Sequence, residues 1–176
     1  MLGRAVYKEI GYGNAAYMHV DVKSALLKLV PFLEENSLKM RICDAYRPPV
    51  AHKKLLEIIP RSKAKFFAET PEKSSHCHGT AIDICLTDIH GHNLIYPTEI
   101  DAYEKHFQKQ VSIGRFDEFD LHLQKARHDY QGAPAEAIKN REQLKFLMES
   151  AGFEAILHEW WHYNIKGWQN YPVIEW

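Results

Sequence analysis

The stretch FEAILHEWWHYNI, Phe153 to Ile165, admits two folds for one piece of chain. Its centre, His158 to His162, matches H-E-x-x-H, in which a helix sets residues i and i+4 on one face so that both histidines reach one zinc ion. The flanks argue against a helix. Gly152 has the character of a C′ residue closing the helical pattern before it, six residues ahead of His158. The residues that follow are aromatic and β-branched, as in strands. On a strand rising ~3.3 Å per residue, positions four apart share a face but lie too far apart for one metal. The extended form of the motif also needs Gly and His further on, where Ile165 and Trp168 stand. The helical zinc motif is set aside, and FEAIL and WWHYNI are read as strand-like pieces. Trp160 and Trp161 are then core residues, one on each face of the strand.

Upstream, PAEAIKNREQLKFLMESAG carries a helical pattern with Pro134 near its start and Gly152 past its end. DVKSALLKLVPFLEENS, Asp21 to Ser37, is also helical, with Pro31 predicting a kink or a break into two pieces. LKMRIC, Leu38 to Cys43, alternates like a strand with Leu38, Met40 and Ile42 on one face. DAYRPP turns into a helix over VAHKKLLEII, TAIDICL (Thr80 to Leu86) is a second strand, and DIHGHN is a hairpin turn. The long polar segment from Tyr96 to Pro134 has the character of a lid or binding segment. Helices and strands mix without a βαβ rhythm. The expectation is an α+β fold: a single compact domain over residues 1–176, with a small, mostly antiparallel sheet and flanking helices.

Composition narrows the function. The 176 residues are 45% hydrophobic and 26% charged, with a formal net charge of -1 and no block of one sign. That balance disfavours a nucleic-acid or anionic-membrane surface. No apolar run approaches a membrane span. The N-terminal residues lack the apolar core of a signal peptide, so a cytoplasmic location is expected, or a periplasmic one if a leader has been removed. Three cysteines, Cys43, Cys77 and Cys85, do not make a disulfide framework. Cys43 and Cys85 are read as buried apolar fillers. Of eleven histidines, His19, His52, His90, His92, His106, His122 and His128 are read as surface residues.

The chemistry concentrates in SSHCHGTAID, Ser74 to Asp83. A histidine in the turn, His76, and an aspartate on the strand, Asp83, can converge on one cation, and His162 completes two imidazoles and one carboxylate. That set suits zinc and leaves a fourth position open, as in catalytic rather than structural sites. Glu159, three residues before His162, is placed to act as general base. Each piece alone is weak; the conjunction carries the argument.

Four motifs in this order, DAYRP (Asp44 to Pro48), SSHCHGTAID, FDEFD (Phe116 to Asp120) and EWWHY (Glu159 to Tyr163), resemble the D-alanyl-D-alanine dipeptidases, zinc peptidases related to the D,D-carboxypeptidases of cell-wall metabolism. The resemblance covers roughly Asp21 to Tyr163. It implies one zinc ion per chain, at the sheet, on His76, Asp83 and His162, with Glu159 as base and Arg47 stabilising the oxyanion. It further implies that Asp117 pairs with the free ammonium of a small dipeptide substrate and that Ser74 hydrogen-bonds there. His158 then has no ligand role. Two departures stand out: the aromatic NF-x-G segment expected upstream is missing, and Cys77 and His78 replace Ser and Arg beside His76. Both of these side chains bind metals. The implied reaction is hydrolysis of D-alanyl-D-alanine to two D-alanines. The alternatives are a related wall peptidase, such as a D,D-carboxypeptidase or an L-Ala-D-Glu endopeptidase, and a zinc-binding module without catalysis. Oligomeric state is not legible in the sequence.

Overall fold

The computed structural model describes residues 6–13, 15–58, 67–100 and 117–175. Its elements are α1 (Val6–Glu9), α2 (Val20–Leu27), α3 (Val30–Glu35), β1 (Leu38–Asp44), α4 (Pro49–Ile58), β2 (Ala81–Asp88), α5 (Asp117–Ala126), α6 (Ala135–Ala151), β3 (Phe153–Ala155) and β4 (His162–Ile165), with short 3₁₀ turns at Pro71–Lys73, Ser75–His78 and Trp168–Asn170. The strands form one antiparallel sheet in the order β1-β2-β4-β3. The α+β expectation holds.

The period-2 alternation of the central strand decides what each side of the sheet becomes. Every residue of β2 from Ala81 to Thr87 is buried. Ile82, Ile84 and Leu86 join the core made by Val22, Leu26 and Leu29 of the α2–α3 region and by Leu144 and Met148 of α6. Burial of an Ile or Leu side chain contributes roughly 1.5–3 kcal/mol. This face therefore supplies much of the stability that fixes the sheet. The alternate residue Asp83 points to the other side, where the polar cluster lies.

Pro31 breaks the expected long helix. α2 stops at Leu27, and Pro31 falls in the first turn of α3, where its missing N–H costs nothing. Gly152, at φ 107°, ends α6 in the left-handed conformation that glycine tolerates. The structure refines three expectations. On β1, Leu38, Met40 and Ile42 share a face as expected, since Ile42 pairs with Ile84. Only Leu38 and Met40 pack against the core; Ile42 is 37% exposed, next to a shift of register between Ile42 and Asp44. An extra residue in one strand breaks the alternation beyond it. Trp160 and Trp161 do not lie on a strand: residues 156–161 form turns, and the two indoles, both buried, meet edge to face at 5.4 Å. The segment between Tyr96 and Pro134 also contains a helix, α5, that the sequence pattern did not announce. Residues 101–116 of that segment lie outside the described residues, as does His106.

Candidate metal centre

Sheet register builds the first pair of candidate ligands. Asp83 of β2 stands directly opposite His162 of β4, and opposite Asp44 of β1 on its other side. His162 Nδ1 lies 3.0 Å from Asp83 Oδ1. His76 comes from the 3₁₀ turn just before β2, with its Nε2 3.2 Å from His162 Nδ1 and 3.5 Å from Asp83 Oδ1. All three side chains are buried. They form the one group of three metal-ligating side chains with mutually close donor atoms among the described residues. Ligands at ~2.0–2.1 Å around a tetrahedral zinc ion stand about 3.3 Å apart. The observed separations of 3.0–3.5 Å bracket that value, so the three donors fit one zinc ion without rearrangement.

The turn that carries His76 is held in place from several sides. Gly79 closes it at φ 66°, and a Cβ there would meet Ile174 Cδ1 at 2.9 Å and the backbone nitrogen of His19 at 3.3 Å. Only glycine satisfies both the conformation and the space. The backbone N–H of Ile174 donates to Cys77 O at 3.0 Å, and that of His19 donates to Gly79 O at 2.8 Å. His76 Nδ1 lies 2.6 Å from Ala45 O. Because a carbonyl only accepts, that contact protonates Nδ1 and leaves Nε2 facing the cluster. The two metal-binding side chains beside His76 turn away. Both nitrogens of His78 face carbonyl oxygens, of Tyr171 at 2.6 Å and of Glu72 at 3.1 Å. Cys77 is fully buried, and burial pushes its thiol up from the usual range, which disfavours a thiolate.

Charge is concentrated and matched. Burial alone would raise the Asp83 carboxyl, but the neighbouring imidazoles of His76 and His162 outweigh it and hold it far below the usual carboxylate range. Burial likewise opposes charge on His76, and Asp83 reverses that, raising it. Asp44 performs the same service for Arg47. Its Oδ2 accepts from Nη2 at 2.6 Å and Nε at 3.1 Å, while its Oδ1 accepts from Tyr7 Oη at 2.6 Å and from the backbone N–H of Ala45 at 2.9 Å. Burial opposes the guanidinium charge, but the Asp44 carboxylate beside it raises the group well above its ordinary value. The Arg47 backbone N–H donates to His76 O at 3.0 Å, which ties DAYRP to the ligand turn.

Glu159 lies at the rim. It is half-buried in the turn before β4, with Oε2 4.0 Å from His162 Nδ1. The end of α5 props this turn: Trp160 N–H donates to Ala126 O and His128 N–H to Leu157 O, both at 2.9 Å. His158 points outward to Arg127 at 3.3 Å and takes no part in the cluster. Ser74 is buried between the two 3₁₀ turns, and its side chain hydrogen-bonds the Cys77 thiol. Asp117 opens α5, but its side chain, like that of Asp120, lies outside the described residues.

The structure thus gathers His76, Asp83 and His162, with Glu159 and Arg47 beside them. Sequence reasoning missed Tyr7, which anchors Asp44 from 37 residues away and carries no local signal. It also missed Asn164, whose Oδ1 lies 2.9 Å from His162 Nε2. The trace of Asn164 was a polar residue in a strand of otherwise apolar character, two positions after a candidate ligand. Three histidines read as surface residues, His52, His122 and His128, are buried.

Comparison with known proteins places this arrangement. Residues 2–172 match the peptidase family M15 described as D-ala-D-ala dipeptidase. The D-alanyl-D-alanine dipeptidase of Escherichia coli (strain K12) is 30% identical over 173 residues, 98% of this chain and 76% of that protein. That of Enterococcus faecium is 34% identical over 101 residues, 57% of this chain and 40% of the relative. A solved structure of VanY, a vancomycin-resistance D,D-pentapeptidase in complex with Zn(II), aligns over 89% of this chain and 77% of its own, at 13% identity and a TM-score of 0.41, too distant a likeness to bear on the site. With the family match running through all the residues of the cluster, the chain belongs to the D-Ala-D-Ala dipeptidase family of peptidases.

Proposed function

We propose that this peptidase hydrolyses D-alanyl-D-alanine to two D-alanines at one zinc ion per chain, held by His76, Asp83 and His162. The observation that carries the reading is the buried triad, with donor atoms 3.0–3.5 Å apart and a carboxylate, Glu159, at its rim. When bound there by His76, Asp83 and His162, zinc would supply Lewis acidity that lowers the pKa of a bound water and polarises the scissile carbonyl. Glu159 takes the proton of the attacking water and hands it to the leaving amine, a role suited to a half-buried carboxylate beside the triad. Arg47, clamped by Asp44, offers a fixed positive charge to the developing oxyanion, and such a donor contributes about 3 kcal/mol.

Asp117 pairs with the substrate ammonium, helped by Ser74. An acylated amine has no charge to offer, which would leave the carboxylate unpaired in a closed site and so favours free dipeptides over chain ends. The ligand is then a small dipeptide, and among the described residues no helix is long and apolar enough to cross a membrane. Release of free D-alanine from D-Ala-D-Ala by the zinc-loaded protein, beside Glu159→Ala, tests the proposal. Turnover that disappears in the variant supports substrate and base together. A zinc-loaded wild type that leaves the dipeptide intact overturns the substrate.

A further inference from the structure

An imidazole binds a cation only through a ring nitrogen that carries no proton, and the partner of the other nitrogen decides which one that is. The two histidines of the cluster meet this requirement differently. His76 is fixed by a backbone carbonyl, Ala45 O. His162 has no backbone partner at its outer nitrogen among the described residues. Its Nε2 faces Asn164 Oδ1 at 2.9 Å, with Ser75 Oγ further off at 3.5 Å.

We infer that Asn164 is a positioning residue: its amide oxygen holds the proton on His162 Nε2 and so keeps Nδ1 turned to the cation. The inference rests on the reading of His76, Asp83 and His162 as a zinc site. Strand geometry makes the contact natural, since residues i and i+2 of β4 project from the same face. Asparagine is disfavoured in buried strands, and Asn164 is only 7% exposed, so its presence there needs a partner. The Ser75 hydroxyl donates as readily as it accepts and cannot choose a tautomer; an amide oxygen only accepts. An amide also adds no negative charge, so the ligand set keeps one carboxylate and two neutral imidazoles.

The test compares wild type, Asn164→Val and Asn164→Asp. Zinc affinity is read by competition with a chromophoric chelator, and the His162 ring by ¹⁵N spectra of the zinc-loaded protein. Wild type is expected to coordinate through Nδ1, with a slowly exchanging proton on Nε2. Asn164→Val is expected to bind zinc roughly 10–100-fold more weakly, with that proton exchanging fast. Asn164→Asp keeps an acceptor and is expected to restore both. Should the valine variant not fold, Asn164→Ser, too short to reach the ring, carries the same expectation. Coordination through Nε2 in wild type, or unchanged affinity in the valine or serine variant, overturns the role of Asn164 and leaves the metal centre standing. A wild type that takes up no zinc overturns both.

Discussion

His76 and His128 are both buried imidazoles, 4% and 8% exposed, on opposite sides of the sheet, and they are driven in opposite directions. Burial lowers each. At His76 the Asp83 carboxylate reverses the effect, and the group rises. His128 packs edge-on against Tyr163 near α6, where burial, reinforced by Lys145 and Arg141, pulls it down to about 4. Neither of its ring nitrogens has a hydrogen-bond partner among the described residues. Burial therefore makes a histidine neutral filler unless an opposite charge is built beside it. The Asp83 side of the sheet supplies that charge; on the helix side Lys145 and Arg141 outweigh Glu142 and Asp129.

Substitutions sharpen the contrast. On the ligand side, Glu159→Ala should lower kcat by about 10²–10⁴ in the dipeptide assay without changing zinc stoichiometry. On the helix side, Ile84→Ala removes buried volume from a core that has nowhere to collapse. It should cost about 2–5 kcal/mol in denaturant titrations, with zinc still bound by the folded fraction. His128 gives a smaller effect with a definite sign. Its folded value is depressed, so the unfolded chain binds the proton first, and its stability contribution is whole above ~6.5 and lost as pH falls toward about 4. Between pH 7 and pH 5 that loss is on the order of 2 kcal/mol, and His128→Phe should flatten this part of the urea-midpoint profile. The smallest effect belongs to Lys145, whose ion pair with Glu149 on the outer face of α6 spans 3.9 Å. Lys145→Ala should change stability by less than about 0.5 kcal/mol, and a larger change would place the residue in the core network rather than at its surface.

The parts of the molecule that were legible in the sequence share a local cause. Pro31 and Gly152 act on their own turns, so the broken helix and the end of α6 were readable. That His76, Asp83 and His162 would gather was readable because three residue types with one chemical use appeared in motif order. What escaped depends on pairing across distance. The bulge near Cys43 arises from the mismatch of β1 with β2, and neither strand declares it alone. The burial of His52 and His128 reflects which side of a helix or loop the core claims, and a polar residue gives no pattern from which to read that. The Trp160–Trp161 turn looked like a strand because aromatic residues favour strands, yet tertiary packing against α5 and Thr98 takes precedence.

The opposition of Asp83 and His162 gives the cluster a second character, that of a proofreader. The two residues are 79 positions apart, and they face each other only when β2 and β4 pair in one register. A slip by one residue would bring Ile82 or Ile84 opposite His162 and send the carboxylate to the wrong face. In a population of refolding chains, the fraction that captures a cation at this pair would count the correctly threaded sheets and pass over the misthreaded ones, however compact they had become.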